Sequence, residues 1–360
     1  MPTWYLLRIK GAVGRVLNER QTNRLKRAIG FYDNMTTRRF LHKNAAKPFY
    51  TVRYPKGLPI LISGQIQRSG GTLFSQLFDG HPQVLAHPSE VVILKNIYLG
   101  SQSTFNKNIR LMEKLSKNGY SKANIDGRRH AFHFDARHFY QSYTNRKFSN
   151  KSQAVEYYFD HFFRYWLNCN NANLDAQKKK LITGFAPRMG GDHLDALLLD
   201  ISRLYFVHLY RHPGSWWASS RLHNPMYEDI STIDVHWGTS QRKALATKQK
   251  YPGRTFIISF ESLVIDTEKI MTGFCEIFEL KYDPILVIPT FNMQPIGPDS
   301  SYAKNKTIFG VRTEALNRYK KILSSDENRH IEQKFGSLIQ EMERACEHPF
   351  NGIRRPKSPV

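Results

Sequence analysis

Four short apolar runs recur along the chain, and each is followed by a stretch in which apolar residues return at helical spacing. They cover residues 58–63, 181–185, 204–210 and 255–260. Near-continuous apolar runs of this length are typical of strands buried on both faces, with helices connecting parallel neighbours. The pattern predicts an α/β fold, a three-layer sandwich with a central parallel sheet and helices on both of its faces.

Polar residues or glycines follow each predicted strand directly. The first strand runs into the glycine-rich loop 64–72, the second into Arg188, the third into Arg211 and the fourth into Glu261. Parallel sheets bind their ligands outside the carboxyl ends of the strands. We therefore expect all four segments to meet along one edge of the sheet.

Two stretches between the strands have a distinctive composition. Residues 154–167 place Tyr, Phe and Trp along one helical face, which predicts core packing, with aromatic rings lining a ligand cleft as the alternative. Prolines at 284, 289, 295 and 298 predict a loop over residues 284–305.

The charge of the chain implies an anionic partner. The 360 residues are 41% hydrophobic and 13% aromatic, enough for a sizeable core, yet the formal net charge is +23. The first 57 residues hold 13 Lys and Arg against Glu19 and Asp33, a net charge of +11. A nucleotide, a polysaccharide, a lipid headgroup or a nucleic acid would each complement such a surface.

The same imbalance indicates how the chain is divided. We expect a basic, helical extension over residues 1–56, one folded domain over 57–348 and a basic tail over 349–360. Trp4, Leu7 and Val13 lie near helical spacing among cations. The extension therefore either packs on the domain or makes peripheral contact with an anionic membrane surface.

Targeting and redox signals favour a cytoplasmic protein. No run approaches the roughly 20 apolar residues of a membrane span, and cations interrupt the N-terminal apolar stretch without a signal-peptide cleavage site. Three scattered cysteines, Cys169, Cys275 and Cys346, are too few for a disulfide framework or a zinc site. We expect a reducing compartment and no metal.

The segment after the first strand has the composition of a phosphate cradle. Glycines at 64, 70 and 71 adjoin Arg68, Ser69 and Thr72, and Leu73 and Leu77 resume at helical spacing. Backbone N–H groups at such a helix N-terminus bind phosphate oxygens, assisted by the helix dipole. A P-loop nucleotidase needs a Lys in this loop, whereas Arg68 is the only cation here. The loop is therefore predicted to hold an anion rather than to cleave a magnesium-bound phosphate.

The third strand's exit adds a second candidate phosphate site. Arg211 ends the strand, and Ser219 follows eight residues later within the next helix. An Arg and a hydroxyl so placed can grip one phosphate from two sides through charge-assisted hydrogen bonds. Taken singly, each residue could equally form a surface salt bridge or face solvent.

At these residues the chain resembles the sulfotransferases that use 3′-phosphoadenosine 5′-phosphosulfate (PAPS), nearest in style to the tyrosylprotein and bacterial branches. Residues 67–84, QRSGGTLFSQLFDGHPQV, are similar to the family's PRSGTTL loop and its DxHPxV continuation. Arg211 and Ser219 match the family's 3′-phosphate motif. Residues 260–280 are similar to its YExLxxDP helix, with Phe260 in place of Tyr, and residues 307–323 resemble the segment that closes over the nucleotide.

The resemblance implies a P-loop-NTPase-like sulfotransferase fold and metal-free, in-line transfer of a sulfuryl group from PAPS to an acceptor hydroxyl, with 3′,5′-ADP (PAP) as the product. Arg68 would stabilise the transition state, or else only bind the 5′-phosphate. The residues that the resemblance assigns to PAPS binding are Gln67, Arg68, Ser69, Gly70, Gly71, Thr72, Leu73, Arg211, Ser219, Lys304 and Lys306.

The general base has two candidates. The tyrosylprotein branch places a Glu shortly after the HPxV element, and Glu90 lies one position from that register. His87 is the alternative, because an imidazole titrates near neutral pH. Glu90 could instead be a helix-start carboxylate stabilised by the dipole.

One departure from the family concerns the Lys that often follows the second strand and assists the leaving group. Phe185 stands at that position. Arg188 is expected to supply the missing charge, with Lys304 or Lys306 as alternatives. An Arg stays protonated, so its help would be electrostatic only.

Three classes of function stay open at this point. The first is a PAPS-dependent sulfotransferase, and the second is a catalytically silent PAP- or PAPS-binding protein, which the Phe185 departure favours. The third is a basic nucleic-acid-binding protein, although no motif specific for nucleic acid is present. The excess positive charge suits an anionic glycan, an acidic peptide around a tyrosine, or a lipid headgroup as the acceptor.

Overall fold

The computed structural model describes residues 53–91, 94, 120–123, 129–168, 176–297, 310–311, 313 and 316–356. Most of the predicted N-terminal extension lies outside these residues, as do Lys304, Lys306 and Cys169. Within the described ranges, no helix is long and apolar enough to cross a bilayer, and no group of three or more His, Cys, Asp or Glu could hold a metal ion.

The described residues form nine strands and nine α-helices. The strands are β1 (Ile60–Ser63), β2 (Val84–Glu90), β3 (Tyr120–Ala123), β4 (Arg129–Phe132), β5 (Leu181–Phe185), β6 (Leu204–Tyr210), β7 (Thr255–Ser259), β8 (Thr290–Phe291) and β9 (Gln294–Pro295). The α-helices are α1 (Gly71–Asp79), α2 (Ala136–Thr144), α3 (Lys151–Phe162), α4 (Asp192–Asp200), α5 (Pro213–Arg221), α6 (Thr239–Lys250), α7 (Phe260–Ile265), α8 (Thr267–Phe278) and α9 (Ser325–Glu347). Single 3₁₀ turns occupy Phe163–Tyr165, Ala176–Lys178, Pro225–Tyr227, Pro284–Val287 and Arg318–Lys321, and a π-helix covers Ile233–Gly238.

Five strands form one parallel sheet in the order β2-β5-β1-β6-β7. All four predicted runs are strands of this sheet, with ends within two residues of the prediction. The first strand, β1, lies at the centre between β5 and β6. Its carboxyl end therefore opens between the ends of its two neighbours, where the sequence places Arg188 and Arg211.

Alternate residues of the central strands pack against opposite helical layers. Leu61 and Val207 join Phe74 of α1 in one apolar cluster, which α8 completes. Ile62 and Phe206 face the other way, onto α3 and α4, and α5, α6 and α9 cover the rest of that face. Both faces of the sheet are buried, which confirms the predicted three-layer α/β sandwich.

The aromatic stripe of residues 154–167 packs in the core. Tyr158, Phe159, Phe162 and Phe163 are fully buried. Phe162 stacks on Phe134, with ring centroids 4.4 Å apart. The prediction of core packing for these rings is confirmed.

Residues 84–90 form a strand that the sequence pattern does not predict. This strand, β2, is at the edge of the sheet beside β5 and contains Pro88. A proline is tolerated there because an edge strand leaves one row of N–H groups unpaired. The interpretation of Glu90 as a helix-start carboxylate is wrong, because Glu90 is the last residue of β2.

The stretch predicted as a loop over residues 284–305 contains short elements. A 3₁₀ turn over Pro284–Val287 precedes the hairpin of β8 and β9. Asp79, at the end of α1, holds this hairpin by accepting hydrogen bonds from Thr290 Oγ1 (3.0 Å) and Met293 N (2.7 Å). Burial raises the pKa of Asp79 to about 6. The loop prediction is therefore corrected over 284–295, and residues 298–305 lie outside the described ranges.

Two buried histidines should make the stability of the fold depend on pH. Burial lowers the pKa of His87 and of His208 to about 4, against about 6.5 in an unfolded chain. Between these values the unfolded state binds more protons, so stability falls as the pH drops from about 6.5 towards about 4. Asp79 has the opposite effect on stability, because its pKa in the folded protein is raised and the folded state binds its proton first as the pH falls. It therefore offsets part of the stability that the histidines lose.

We expect the free energy of unfolding, measured in urea, to be lower at about pH 4.5 than at about pH 7.5. Burial also lowers the pKa of His161 and of His81, so the His87→Gln variant should remove only part of the histidine contribution. A free energy of unfolding that is unchanged across this range would show that these rings are not held neutral by burial.

Candidate active site

The glycine-rich loop leaves β1 and turns directly into α1. Gly70 is the helix N-cap and adopts a left-handed conformation, with φ 96°. A Cβ atom at Gly70 would lie 2.3 Å from the Phe260 ring. A Cβ at Gly71 would lie 1.8 Å from Gln65 Nε2 and 2.4 Å from the Phe185 ring. Both positions therefore require glycine, and the Phe185 ring packs against the loop.

Gly71→Ala should displace the start of α1, because the new methyl group overlaps two buried neighbours. We expect the affinity for 3′,5′-ADP, measured by calorimetry, to fall about 10- to 100-fold as the loop is misplaced. Gly336→Ala in α9 is the matched control, since a Cβ there meets nothing within 4 Å. Equal affinities in the two variants would show that the loop does not touch the nucleotide.

The remaining loop residues differ in exposure. Ser69 is fully buried, and its hydroxyl forms no hydrogen bond with a described residue. Thr72 is exposed and Leu73 is half-buried in the first turn of α1. A buried hydroxyl without a protein partner, next to a helix N-terminus, suits the oxygen of an anionic ligand.

Arg68 connects this loop to the exit of β6. Its backbone is left-handed, with φ 71°, and its Nε and Nη2 atoms each lie 3.2 Å from Ser219 Oγ. Arg211 Nη1 donates to Arg68 O at 2.7 Å, and Ser219 is buried within α5. The structure therefore brings the loop cation and the predicted Arg–Ser pair within hydrogen-bond reach of one another.

Several neighbours fix the position of Arg211. Its Nε donates to Ser215 Oγ at 2.9 Å, and its guanidinium lies 4.7 Å from the centroid of the Phe260 ring. Trp237 Nε1 donates to Arg211 O at 2.8 Å. Phe260 thus offers Arg211 a ring face, a cation–π contact that needs no Tyr hydroxyl. Ser215 was not predicted, although its spacing of four residues from Arg211 is a usable signal.

Glu261, at the exit of β7, orients the start of α5. Its carboxylate accepts hydrogen bonds from His212 N at 3.3 Å and from Ser259 Oγ at 3.2 Å. Burial raises the pKa of Glu261, while nearby Arg211 acts in the opposite direction. Glu261 therefore holds the backbone next to Arg211 in place.

Arg188 extends from the exit of β5 to the glycine loop. Its side chain is exposed, and Nη2 donates both to Gln67 Oε1 at 2.9 Å and to Tyr227 Oη at 2.8 Å. Its backbone has φ 62°, a conformation that costs a non-glycine residue about 1–3 kcal/mol and is concentrated at functional sites. A positive charge therefore reaches the loop from the exit of the strand that ends at Phe185.

The two predicted bases lie in opposite environments. Glu90 is exposed at the end of β2, in register with Phe185. His87 is buried, with Nδ1 2.7 Å from Ser89 O and Nε2 2.9 Å from Tyr158 Oη. Both ring nitrogens are engaged and burial lowers the His87 pKa to about 4, so this ring is suited to packing rather than to proton transfer. Glu90 alone of the two combines exposure with the carboxyl edge of the sheet.

The structure also supplies residues that sequence patterns did not identify. Trp216 Nε1 donates to Gln67 O at 2.8 Å and anchors the loop on α5. Tyr227 is buried and holds Arg188 from the opposite side. These contacts join positions about 40 to 150 residues apart, so no local spacing signals them. The predicted site residues Lys304 and Lys306 lie outside the described ranges.

Comparison with known families agrees with this geometry. The sequence model of the sulfotransferase family matches residues 59–284, a range that contains the loop, both arginine sites and the exit of β7. The match covers more than half of the chain. The protein therefore belongs to the sulfotransferase family.

Solved structures are similar at the level of the fold. The sulfotransferase domain from the olefin synthase of Synechococcus PCC 7002 superposes with a TM-score of 0.50 at 18% identity, covering 81% of this chain and 98% of that domain. The sulfotransferase domain from the curacin biosynthetic pathway superposes with a TM-score of 0.44 at 16% identity, covering 79% of this chain and 98% of that domain. The sulfotransferase STF9 from Mycobacterium avium superposes with a TM-score of 0.36 at 12% identity, covering 88% of this chain and 83% of that protein. No curated protein matches the chain.

Proposed function

We propose that the protein transfers a sulfuryl group from PAPS to an acceptor hydroxyl. The observation that carries this proposal is the convergence of Arg68, Arg211 and Ser219 beside the glycine loop that opens α1. Two guanidinium groups and a helix N-terminus provide enough positive potential for a nucleotide with anionic groups at two positions.

The residues present suit this co-substrate. The loop has close backbone packing and a buried Ser69 hydroxyl that bonds to none of the described residues, which favours an anionic oxygen at the 5′ end. Arg211 and Ser219 lie on the neighbouring strand exit and helix, where they would hold the 3′-phosphate. PAPS itself supplies the activated sulfuryl group.

In the proposed reaction the acceptor oxygen bonds to sulfur, and the bond between sulfur and the bridging oxygen breaks. The electron pair of that bond leaves with 3′,5′-ADP. Arg68 would stabilise the charge that develops on the transferring group, and Glu90 would take the hydroxyl proton. Arg188, held by Gln67 and Tyr227, would add electrostatic stabilisation in place of the missing Lys.

A screen of hydroxyl acceptors with sulfur-labelled PAPS tests this proposal. We expect one class of acceptor to gain the mass of a sulfuryl group while 3′,5′-ADP accumulates in equal amount. Accumulation of 3′,5′-ADP without any labelled acceptor would indicate hydrolysis, and absence of both would count against transferase activity.

A second candidate is a protein that binds PAP or PAPS without transferring sulfate. Phe185, buried against Gly71 where the family often carries a Lys, favours it. This candidate predicts tight binding of 3′,5′-ADP with no labelled product from any acceptor. Product formation from any acceptor removes it.

A further inference from the structure

A cavity of about 180 Å³ lies between α4 and α6, next to the glycine loop. Its inner wall is buried and mostly apolar, with His208 and Thr247 as its buried polar members, and one wall residue, Ile66, belongs to the loop itself. The apolar wall residues are Ile66, Met189, Leu194, Phe206 and Ala244. Such a wall can accept a small aliphatic or aromatic group.

Most of the more exposed residues around this cavity are polar, although the exposed Val235 is apolar. The polar ones are Arg188, His236, Thr239, Ser240 and Lys243, and none of the described lining residues is Asp or Glu. Burial and the neighbouring Arg188 lower the pKa of His236. Arg188 and Lys243, rather than His236, therefore give the rim a positive potential that an anionic group would complement.

Two carboxylates on the neighbouring helices are paired with cations that do not line the cavity. Asp234 pairs with Arg242 at 2.9 Å, and Asp195 pairs with Lys250 at 2.8 Å. Lys243, one turn from Thr239 on α6, forms no ion pair with a described residue. An ammonium group without a carboxylate partner at the edge of an apolar cavity is available to a ligand.

The backbone around the rim has two uncommon features. Arg188 is left-handed, and His236 belongs to the π-helix Ile233–Gly238. Both kinds of geometry are concentrated at functional sites. The Tyr227 ring lies 5.2 Å from the His236 ring, and its hydroxyl accepts from Arg188, which also contacts Gln67. The rim is thus physically connected to the loop.

We propose that this cavity binds the non-reacting part of the acceptor, and that the acceptor is a hydroxyl-bearing anionic amphiphile. Its apolar body would lie on the buried wall, and its carboxylate or phosphate would lie at the rim beside Lys243. This inference rests on the proposed sulfuryl transfer, because only that reaction makes the bound molecule an acceptor. Binding of the anionic amphiphile itself can be measured without turnover.

Calorimetric titration with octanoate, with and without 3′,5′-ADP, tests the inference, and 1-octanol serves as the neutral comparator. The variants are Lys243→Met, Lys243→Arg and the control Lys269→Met, which removes one exposed positive charge from α8, on the opposite face of the sheet. We expect octanoate to bind the wild type, Lys243→Met to weaken it about 10-fold through loss of a charge-assisted contact, and the other two variants to stay within about twofold. Binding of 1-octanol should not respond to Lys243→Met.

Three results would overturn the inference. They are absence of octanoate binding to the wild type, equal weakening by Lys243→Met and Lys269→Met, and binding of 1-octanol as tight as that of octanoate. Failure of the proposed function is a separate result, because it would appear as absence of 3′,5′-ADP binding whatever the octanoate titration shows.

Discussion

Arg68→Ala is expected to lower kcat for sulfuryl transfer about 100- to 1,000-fold, while the affinity for 3′,5′-ADP falls only about 10-fold. The guanidinium is held in the loop by contacts with Ser219 Oγ at 3.2 Å, so it is preorganised for charge that develops during transfer. Initial rates with labelled PAPS and calorimetry with 3′,5′-ADP measure the two effects separately.

The control for this variant is Arg329→Ala. Arg329 is exposed on α9 and pairs with Asp326 one turn away, so its loss should leave both kcat and affinity within about twofold. Equal losses of kcat and of affinity in Arg68→Ala would contradict the assignment. They would make Arg68 a ligand of the 5′-phosphate in the ground state, without a special role in transfer.

Arg211→Ala is expected to weaken 3′,5′-ADP binding about 100-fold. The change removes the charge that faces the predicted 3′-phosphate, and it leaves Arg68 O and Ser215 Oγ without their donor. Binding of 5′-AMP, which lacks the 3′-phosphate, should be nearly equal in the wild type and in Arg211→Ala. Calorimetry with the two nucleotides measures the difference directly.

Two adjacent serines on α5 provide a matched pair for the same site. Ser219→Ala should weaken 3′,5′-ADP binding about 5- to 10-fold, as expected for one lost hydrogen bond. Ser220→Ala should have little effect, because Ser220 is equally buried but its hydroxyl has no described partner. If Arg211→Ala weakened the binding of 5′-AMP as much as the binding of 3′,5′-ADP, the 3′-phosphate would not be bound by Arg211.

The sheet was largely predictable because its central strands are buried on both faces. Runs such as 204–210 are almost continuously apolar, and their short length together with the helical stretches between them favours doubly covered parallel strands. The strand β2 was not predictable in this way, because it is an edge strand with Pro88 and ends in polar residues. Its pairing with β5 depends on a segment about 100 residues away, which no local pattern reports.

The candidate site was predictable where a motif places the residues and not where tertiary contacts do. Arg211 and Ser219 lie in one strand–helix unit, so their spacing in the sequence identified both as candidates. Arg188 was a candidate only by position, and its contact with Tyr227 becomes visible in the folded chain. His87 shows the converse, since its residue type suggested a base but its burial against α3 does not suit that role.

Binding of 3′,5′-ADP to the purified protein tests the central claim most directly, because every proposed role depends on a nucleotide held by the loop and by Arg211. We predict saturable, one-to-one binding that is tighter than that of 5′-AMP and that loses this preference in Arg211→Ala. A folded wild-type protein that does not bind 3′,5′-ADP, or that binds it no better than 5′-AMP, would contradict the account.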